Sequence, residues 1–271
     1  MHPKQHSALA FVHLMKTGGQ TMRTILRKNF GADHCDMLLF EQTTPRDWRW
    51  IGACYPRLRS IAGHGMVAGI PEFEELHPEA RYFTILREPV ERAVSHYQFL
   101  RNGGHKVPEF EAWLAENANY ITRKLAGRPD AAAAIKALES KIGFVGFVET
   151  YDESLLLWRR WAGEPDLDLT YRAVNRARDS AFRARLVDGE LSRETIAAYH
   201  QEDIKVWDHA YGTLRERQRL AYGPSLDADV EALRQACASA RNENLRTLAG
   251  KWKRNLLYRP GVRKATDNPY K

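Results

Sequence analysis

The sequence predicts an α/β fold: a central, mostly parallel sheet flanked by helices in three layers, with a largely helical C-terminal half. Three observations carry this. Apolar runs of strand length occur at residues 8–14, 81–86 and 142–148, and each leads into a segment with helical spacing. The turn after the first run contains two glycines, Gly18 and Gly19. Beyond Pro224 the periodicity is helical throughout. At 271 residues the chain is long enough to bury a substantial core.

The first unit is the most informative. Ala8 to Leu14 reads as a buried strand, Lys16-Thr17-Gly18-Gly19-Gln20 as a turn, and Thr21 to Phe30 as a helix. Met22, Ile25, Leu26 and Phe30 share one helical face, with Arg23, Arg27 and Lys28 on the other. A strand, a glycine turn and a helix aim backbone N–H groups and a helix N-terminus at an anion. Lys16 adds a mobile positive charge there. This is not a Walker A loop, in which Lys follows the second Gly. Read as structure alone, it is a βα turn with glycines.

The elements follow in order. Cys35 to Phe40 is a second strand candidate. Thr44 caps a helix with Pro45 at its first position, and Trp48, Ile51 and Tyr55 form its buried face. Leu58 to Ala62 is a short strand ended by Gly63-His64-Gly65. His64 there projects either into a cleft, as a general base, or onto the surface. Pro71 to Leu76 is a loop or short helix. Arg81 to Leu86 is the clearest later strand, and Arg87-Glu88-Pro89-Val90 turns it into a helix with Val90, Val94, Tyr97, Phe99 and Leu100 apolar. Arg87 stands at the strand's C-terminal end, where open α/β sheets bind ligands. Ser95 lies eight residues on, and the pair can grip a phosphate from two sides.

Gly103-Gly104 ends that helix, and 110–114 is helical. Asn117 to Gly127 is a polar turn entering a short helix, in which Asn119 and Arg123 are acceptor-contact candidates or, alternatively, a cap and a solvated charge. Asp130 to Lys141 is an alanine-rich helix, and Ile142 to Val148 a buried strand leading into an amphipathic helix from Tyr151 to Trp161. Residues 163–192 are loop-like and basic, Ser192 caps a helix, and 201–211 is helical. Leu226 to Leu248 reads as one helix. Lys251 to Lys271 is a basic tail with Trp252, Leu256, Leu257 and Tyr258, suited to a membrane surface or an anionic glycan, or else a frayed end.

The strand–KTGG–helix unit resembles the 5′-phosphosulfate loop of sulfotransferases that use 3′-phosphoadenosine 5′-phosphosulfate (PAPS). Leu86-Arg87-Glu88-Pro89-Val90-Glu91-Arg92-Ala93-Val94-Ser95-His96-Tyr97 resembles their 3′-phosphate motif. Gly63-His64 is similar to a segment of the carbohydrate branch related to heparan sulfate 2-O- and 6-O-enzymes and their bacterial relatives. Asn119 to Gly127 resembles an Asn-x-x-Thr-Arg-x-Leu-x-Gly segment of bacterial members. The resemblance covers about residues 8–220 and leaves 221–271 as a C-terminal helix and basic tail of one domain. It implies a P-loop-like fold, PAPS as donor and PAP as product. It also implies donor contacts from Lys16, Thr17, Gly18, Gly19, Gln20, Thr21, Arg87 and Ser95, with Arg172, Asn175 and Arg176 on a loop over the nucleotide. His64 is the implied base and Lys16 the implied charge on the bridging oxygen. Asn119 and Arg123 then face a hydroxyl-bearing acceptor, a glycan or glycolipid. Met15 and Gln20 depart from the family pattern, which more often has Pro and a hydroxyl residue there.

The net charge of +7 suits an anionic ligand without choosing one. No metal is implied, because no ligand cluster is visible, and nucleic acid is not an expected partner. Cys35, Cys54 and Cys237 are three, far apart, and read as free thiols in a reducing compartment. No apolar run reaches membrane-spanning length. The expected address is therefore cytoplasmic. Two rivals stand beside the sulfotransferase reading. A kinase on a similar sheet fits poorly with Lys before Gly and no evident Walker-type Asp. A non-catalytic polyanion-binding module explains the charge but not the ordered motifs.

Overall fold

The computed structural model describes residues 7–39, 43–172, 184, 186 and 192–262. Its five strands are β1 (Leu9–Val12), β2 (His34–Asp36), β3 (Ser60–Gly63), β4 (Arg81–Leu86) and β5 (Ile142–Phe147). They form one sheet in the order β2-β3-β1-β4-β5, and every pairing is parallel. The expected α/β sheet is present.

Strand side chains alternate, and β1 shows how that builds three layers. Ala8, Ala10, Val12 and Leu14 face one core, with Trp48 and Ile51 of α2 (Pro45–Cys54), Phe73 of α3 (Pro71–Leu76) and Leu138 of α7 (Ala131–Ser140). Leu9 and Phe11 face the other, with Met22, Ile25 and Leu26 of α1 (Gly19–Phe30) and Leu155 and Trp158 of α8 (Tyr151–Ala162). A third cluster joins α4 (Pro89–Asn102), α5 (Phe110–Glu116) and α9 (Arg193–Ala198) through Val94, Tyr97, Trp113 and Ile196.

The register fixes the site. Val12 pairs with Gly63 on one side and Thr84 on the other. His13 therefore leaves the sheet beside His64, and Arg87 leaves it three residues past Thr84. β1 leads to β2 on one side of itself, while its other neighbour is β4. The crevice at the C-terminal ends of β1 and β4 is thus a topological switch point, the usual ligand position in open parallel sheets.

Several expectations need correction. The second strand begins at His34 and ends at Asp36 rather than running through the following apolar residues, and position 40 lies outside the described residues. Phe99 is not part of the apolar seam of α4; it is 48% exposed. After α11 (Arg215–Tyr222), Leu226 to Leu248 is two helices, α12 (Leu226–Cys237) and α13 (Leu245–Lys253). Asn244 starts α13: its side chain accepts from Thr247 N, and Thr247 Oγ1 accepts from Asn244 N. The first part of the tail is not frayed. Gly250 lies so close to Gly31 that a Cβ would stand 2.5 Å from the Gly31 oxygen. Trp50 Nε1 donates to Tyr258 O at 2.9 Å, and Arg254 meets Asp36 at 3.3 Å. Residues 263–271 lie outside the described residues.

Candidate active site

The loop from Met15 to Gly18 is held from three directions. Thr17 Oγ1 donates to Leu14 O at 2.9 Å. Tyr151 Oη donates to Gly18 O at 2.9 Å, from the first turn of α8. Met15 N donates to Tyr120 Oη at 3.2 Å, from α6 (Tyr120–Ala126). Lys16 and Gly18 both have positive φ, 66° and 74°. For Lys16 that conformation carries strain, which the three anchors sustain. The amides of Thr17, Gly18, Gly19 and Gln20 have no acceptor among the described residues. Thr21 N and Met22 N turn back to Gly18 O. The result is a set of N–H donors at the positive end of α1, which is what an anion needs.

Both glycines are required by close approach. A Cβ on Gly18 would meet the Tyr151 ring at 2.6 Å, and one on Gly19 would stand 1.7 Å from His13 Nε2. Thr21 is buried at the start of α1, and Gln20 is exposed.

Lys16 and Arg87 meet at this loop. Arg87 donates to Lys16 O at 3.4 Å and lies 3.7 Å from Glu91. Burial, helped by the Arg87 charge, lowers the Lys16 ammonium to a pKa of about 8. Two cations drawn together in a partly dry place favour a bound polyanion. The Lys16 Nζ sits 4.3 Å from the centre of the Phe99 ring. Glu91, Ser95 and Phe99 are spaced four residues apart on one face of α4. Ser95 therefore lies between a residue that touches Arg87 and one that touches Lys16. Glu88 caps α4 by accepting from Val90 N and Glu91 N. Arg193 of α9 ties down both carboxylates, at 2.9 Å from Glu88 and 3.4 Å from Glu91.

His64 stands on the other side of β1. Its Nδ1 donates to His13 O at 3.2 Å, so the proton resides on Nδ1 and Nε2 is the basic nitrogen. Its ring stacks on His13 at 4.1 Å, and His13 stacks on Phe11 at 5.1 Å. Burial lowers His64 to a pKa of about 4, so it is neutral at physiological pH. Lys124 Nζ donates to the His64 carbonyl. Burial brings Lys124 to a pKa of about 8.

Other sequence candidates fall elsewhere. Asn119 directs its Oδ1 to the amides of Glu202 and Asp203, 3.1 and 3.3 Å away, at the start of α10 (Gln201–His209). Arg123 folds back onto the carbonyls of Glu116 and Ala118. The backbone of Arg172 pairs with Asn242, and its side chain is exposed. Asn175 and Arg176 lie outside the described residues.

The structure adds His13, Tyr120 and Lys124 to the candidates. The sequence held a signal for two of them. Tyr120 and Lys124 are four residues apart on one helix, so a motif that places Arg123 near the cleft also places that face there. His13 carried none, since it continues an apolar strand.

No family model matches the chain. Among characterised proteins it is similar to galactose-3-O-sulfotransferase 3 of Mus musculus, with 26% identity over 275 residues. The Homo sapiens and Bos taurus proteins of that name match at 26% over 274 residues. The alignment takes in 86% of this chain and 62% of each relative's length. This similarity supports a carbohydrate sulfotransferase family and does not extend to the heparan sulfate branch. It also corrects the expected cytoplasmic address, because the relatives are Golgi-type enzymes. Free thiols misled that expectation: Cys35 and Cys54 are buried, and buried thiols persist whatever the compartment. Among the described residues no helix is long and apolar enough to cross a membrane.

Proposed function

We propose that the chain transfers a sulfuryl group from PAPS to a hydroxyl of a carbohydrate. The observation that carries this reading is the placement of three groups around one crevice: the open amides and Lys16 after β1, Arg87 after β4, and neutral His64 after β3. Bound there, PAPS supplies a sulfuryl group on a phosphosulfate anhydride, with PAP as the leaving group. The Thr17 to Gln20 amides suit its 5′-phosphate, with Thr21 at the helix start. Arg87 and Ser95 suit the 3′-phosphate. Lys16 is charged below its pKa of about 8 and places that charge where negative charge builds on the leaving oxygen. His64 Nε2 takes the acceptor proton, and the bond from Nδ1 to His13 O keeps that nitrogen basic. No step needs a metal in this arrangement.

The relatives are named for galactose and its 3-hydroxyl, so the acceptor class proposed here is a galactose-bearing glycan. The α6 helix forms its wall, with Lys124 nearest the base. Asn119 and Arg123 shape that wall through the backbone contacts they make.

Calorimetry with PAP tests the donor site. Wild type should bind, and Arg87→Ala should bind at least about tenfold more weakly, the usual scale for a charge-assisted hydrogen bond. His64→Ala should bind PAP like wild type yet transfer sulfate to a galactose-terminated acceptor roughly 10²–10⁴ times more slowly. Failure of folded wild type to bind PAP would overturn the proposal.

A further inference from the structure

The C-terminal segment carries an apolar stripe with no role in the crevice. Leu245, Leu248, Trp252 and Leu256 follow one another at helical spacing and are all exposed, Leu245 at 85% and Trp252 at 71%. The opposite side of the same helix is the docked one: Thr247 is buried, Gly250 abuts Gly31, and Tyr258 packs edge-on against Tyr55 at 5.7 Å. The stripe therefore points away from the body by construction. A π-helical turn at Arg254–Tyr258 continues it and adds exposed Leu257.

Charge decides what such a face suits. Residues 241–261 contain six basic residues, Arg241, Arg246, Lys251, Lys253, Arg254 and Arg259, against one acidic residue, Glu243. Lys251 pairs with Glu243, and Arg254 with Asp36. Among the described residues Arg241 and Arg259 have no carboxylate partner, while Arg246 and Lys253 donate to the backbone oxygens of Asn29 and Ala32, at 2.9 and 2.8 Å, and so bring positive charge to the flank without a countercharge. Arg246 and Lys253 lie to one side of the stripe and Lys251 to the other, by helical angle. Trp50 of α2, partly exposed, packs against Gly261, and Arg46 and Arg49 on the same helix are exposed. A protein partner of ordinary surface would leave that one-signed rim unmatched. A helix with Leu and Trp outward and bases along the flanks matches the boundary between anionic headgroups and acyl chains.

We infer that α13 and the turn after it form an interfacial helix that rests on an anionic phospholipid surface, with Leu245, Leu248, Trp252 and Leu256 inserted, Arg241 and Arg259 at the headgroups, and the net positive charge of the segment facing the anionic surface. The docking is peripheral and reversible. It is independent of the sulfotransferase reading, because no residue of the stripe lies in the crevice.

Vesicle co-sedimentation of the full chain tests this, using phosphatidylcholine vesicles with and without phosphatidylglycerol at low and high salt. Wild type should bind the anionic vesicles, and binding should weaken with salt. The double variant Leu248→Ser/Trp252→Ser should bind at least about tenfold more weakly, with an unchanged melting temperature because both side chains are exposed. Three results would overturn the inference: no binding by wild type to anionic vesicles, equal binding by the double variant, or light scattering that shows a dimer abolished by that variant. The last would make a second copy the occupant.

Discussion

The proposed chemistry of the crevice depends on a buried residue. His13 is buried between Phe11 and His64, and its backbone oxygen fixes the His64 tautomer. Its ring also fills the space beside Gly19, which ties the proposed base to the proposed phosphate cradle through one side chain. Gly19→Ala would force Cβ into that ring, which has nowhere to go. We expect a loss of about 1–3 kcal/mol in stability, the usual cost of overpacking. PAP affinity should fall about tenfold as the first turn of α1 shifts. Thermal melting and calorimetry check both. Adding His13→Ala should recover part of the stability lost in Gly19→Ala, since the ring that clashes is gone. If Gly19→Ala melts and binds PAP like wild type, the packing argument is wrong.

The helix proposed as the acceptor wall, α6, and α10 behind it complete one another. Asn119 accepts from the second and third amides of α10, which lacks a side-chain cap of its own. Asp203, in α10, accepts in return from Ile121 N and Thr122 N at 2.8 Å each, the second and third amides of α6. Each helix start is thus capped by the other. Asn119→Ala should lower stability by about 1–2 kcal/mol, the scale of a lost N-cap, and leave PAP affinity unchanged. A variant that melts normally but raises the KM for acceptor would instead make Asn119 a substrate contact. This pair also shows where the sequence was readable. Caps within a few residues were legible: Thr44, which the structure pairs with Asp47, and Ser192, which it pairs with Thr195. A cap supplied from about eighty residues away was not, because nothing local marks it. The same reason explains the split of the predicted 226–248 helix. The periodicity of Val230 and Leu233 was real, but α13 takes its direction from Gly31 and Lys28, which only the fold brings near. Phe99 was placed on the correct helix but assigned to the core, since periodicity cannot tell a buried face from one that lines a cleft.

At the scale of the whole molecule, the order of the motifs was legible because a parallel sheet turns chain order into geometry. Glycine turns, His64 and Arg87 each follow a strand, and parallel strands all end on the same side. The electrostatics were not legible, because they come from burial. Five histidines, His13, His34, His64, His96 and His200, are held neutral, with burial as the leading cause in each. Their folded pKa values lie below the ordinary 6.5, at about 4 for His64 and about 3 for His96 and His200. The unfolded chain takes up protons as pH falls through 6.5, while the folded chain does not until each lower value is reached. The histidine contribution to stability is therefore full above pH 6.5 and declines as pH falls below it. His64, His96 and His200 each cost about 1.4 kcal/mol per pH unit in that window. These three together reach the size of a typical total stability, about 5–15 kcal/mol, within about two units, and His13 and His34 add in the same direction. The melting temperature should be nearly level from pH 8 to 7 and drop steeply below 6.5. Cooperative acid unfolding should be complete before pH 4, earlier than protonation of carboxylates alone would bring it about. A melting temperature that stays level from pH 7 to 5 would mean that these histidines gain solvent or a proton acceptor in solution, and that the crevice around His64 is wetter than its packing against His13 implies.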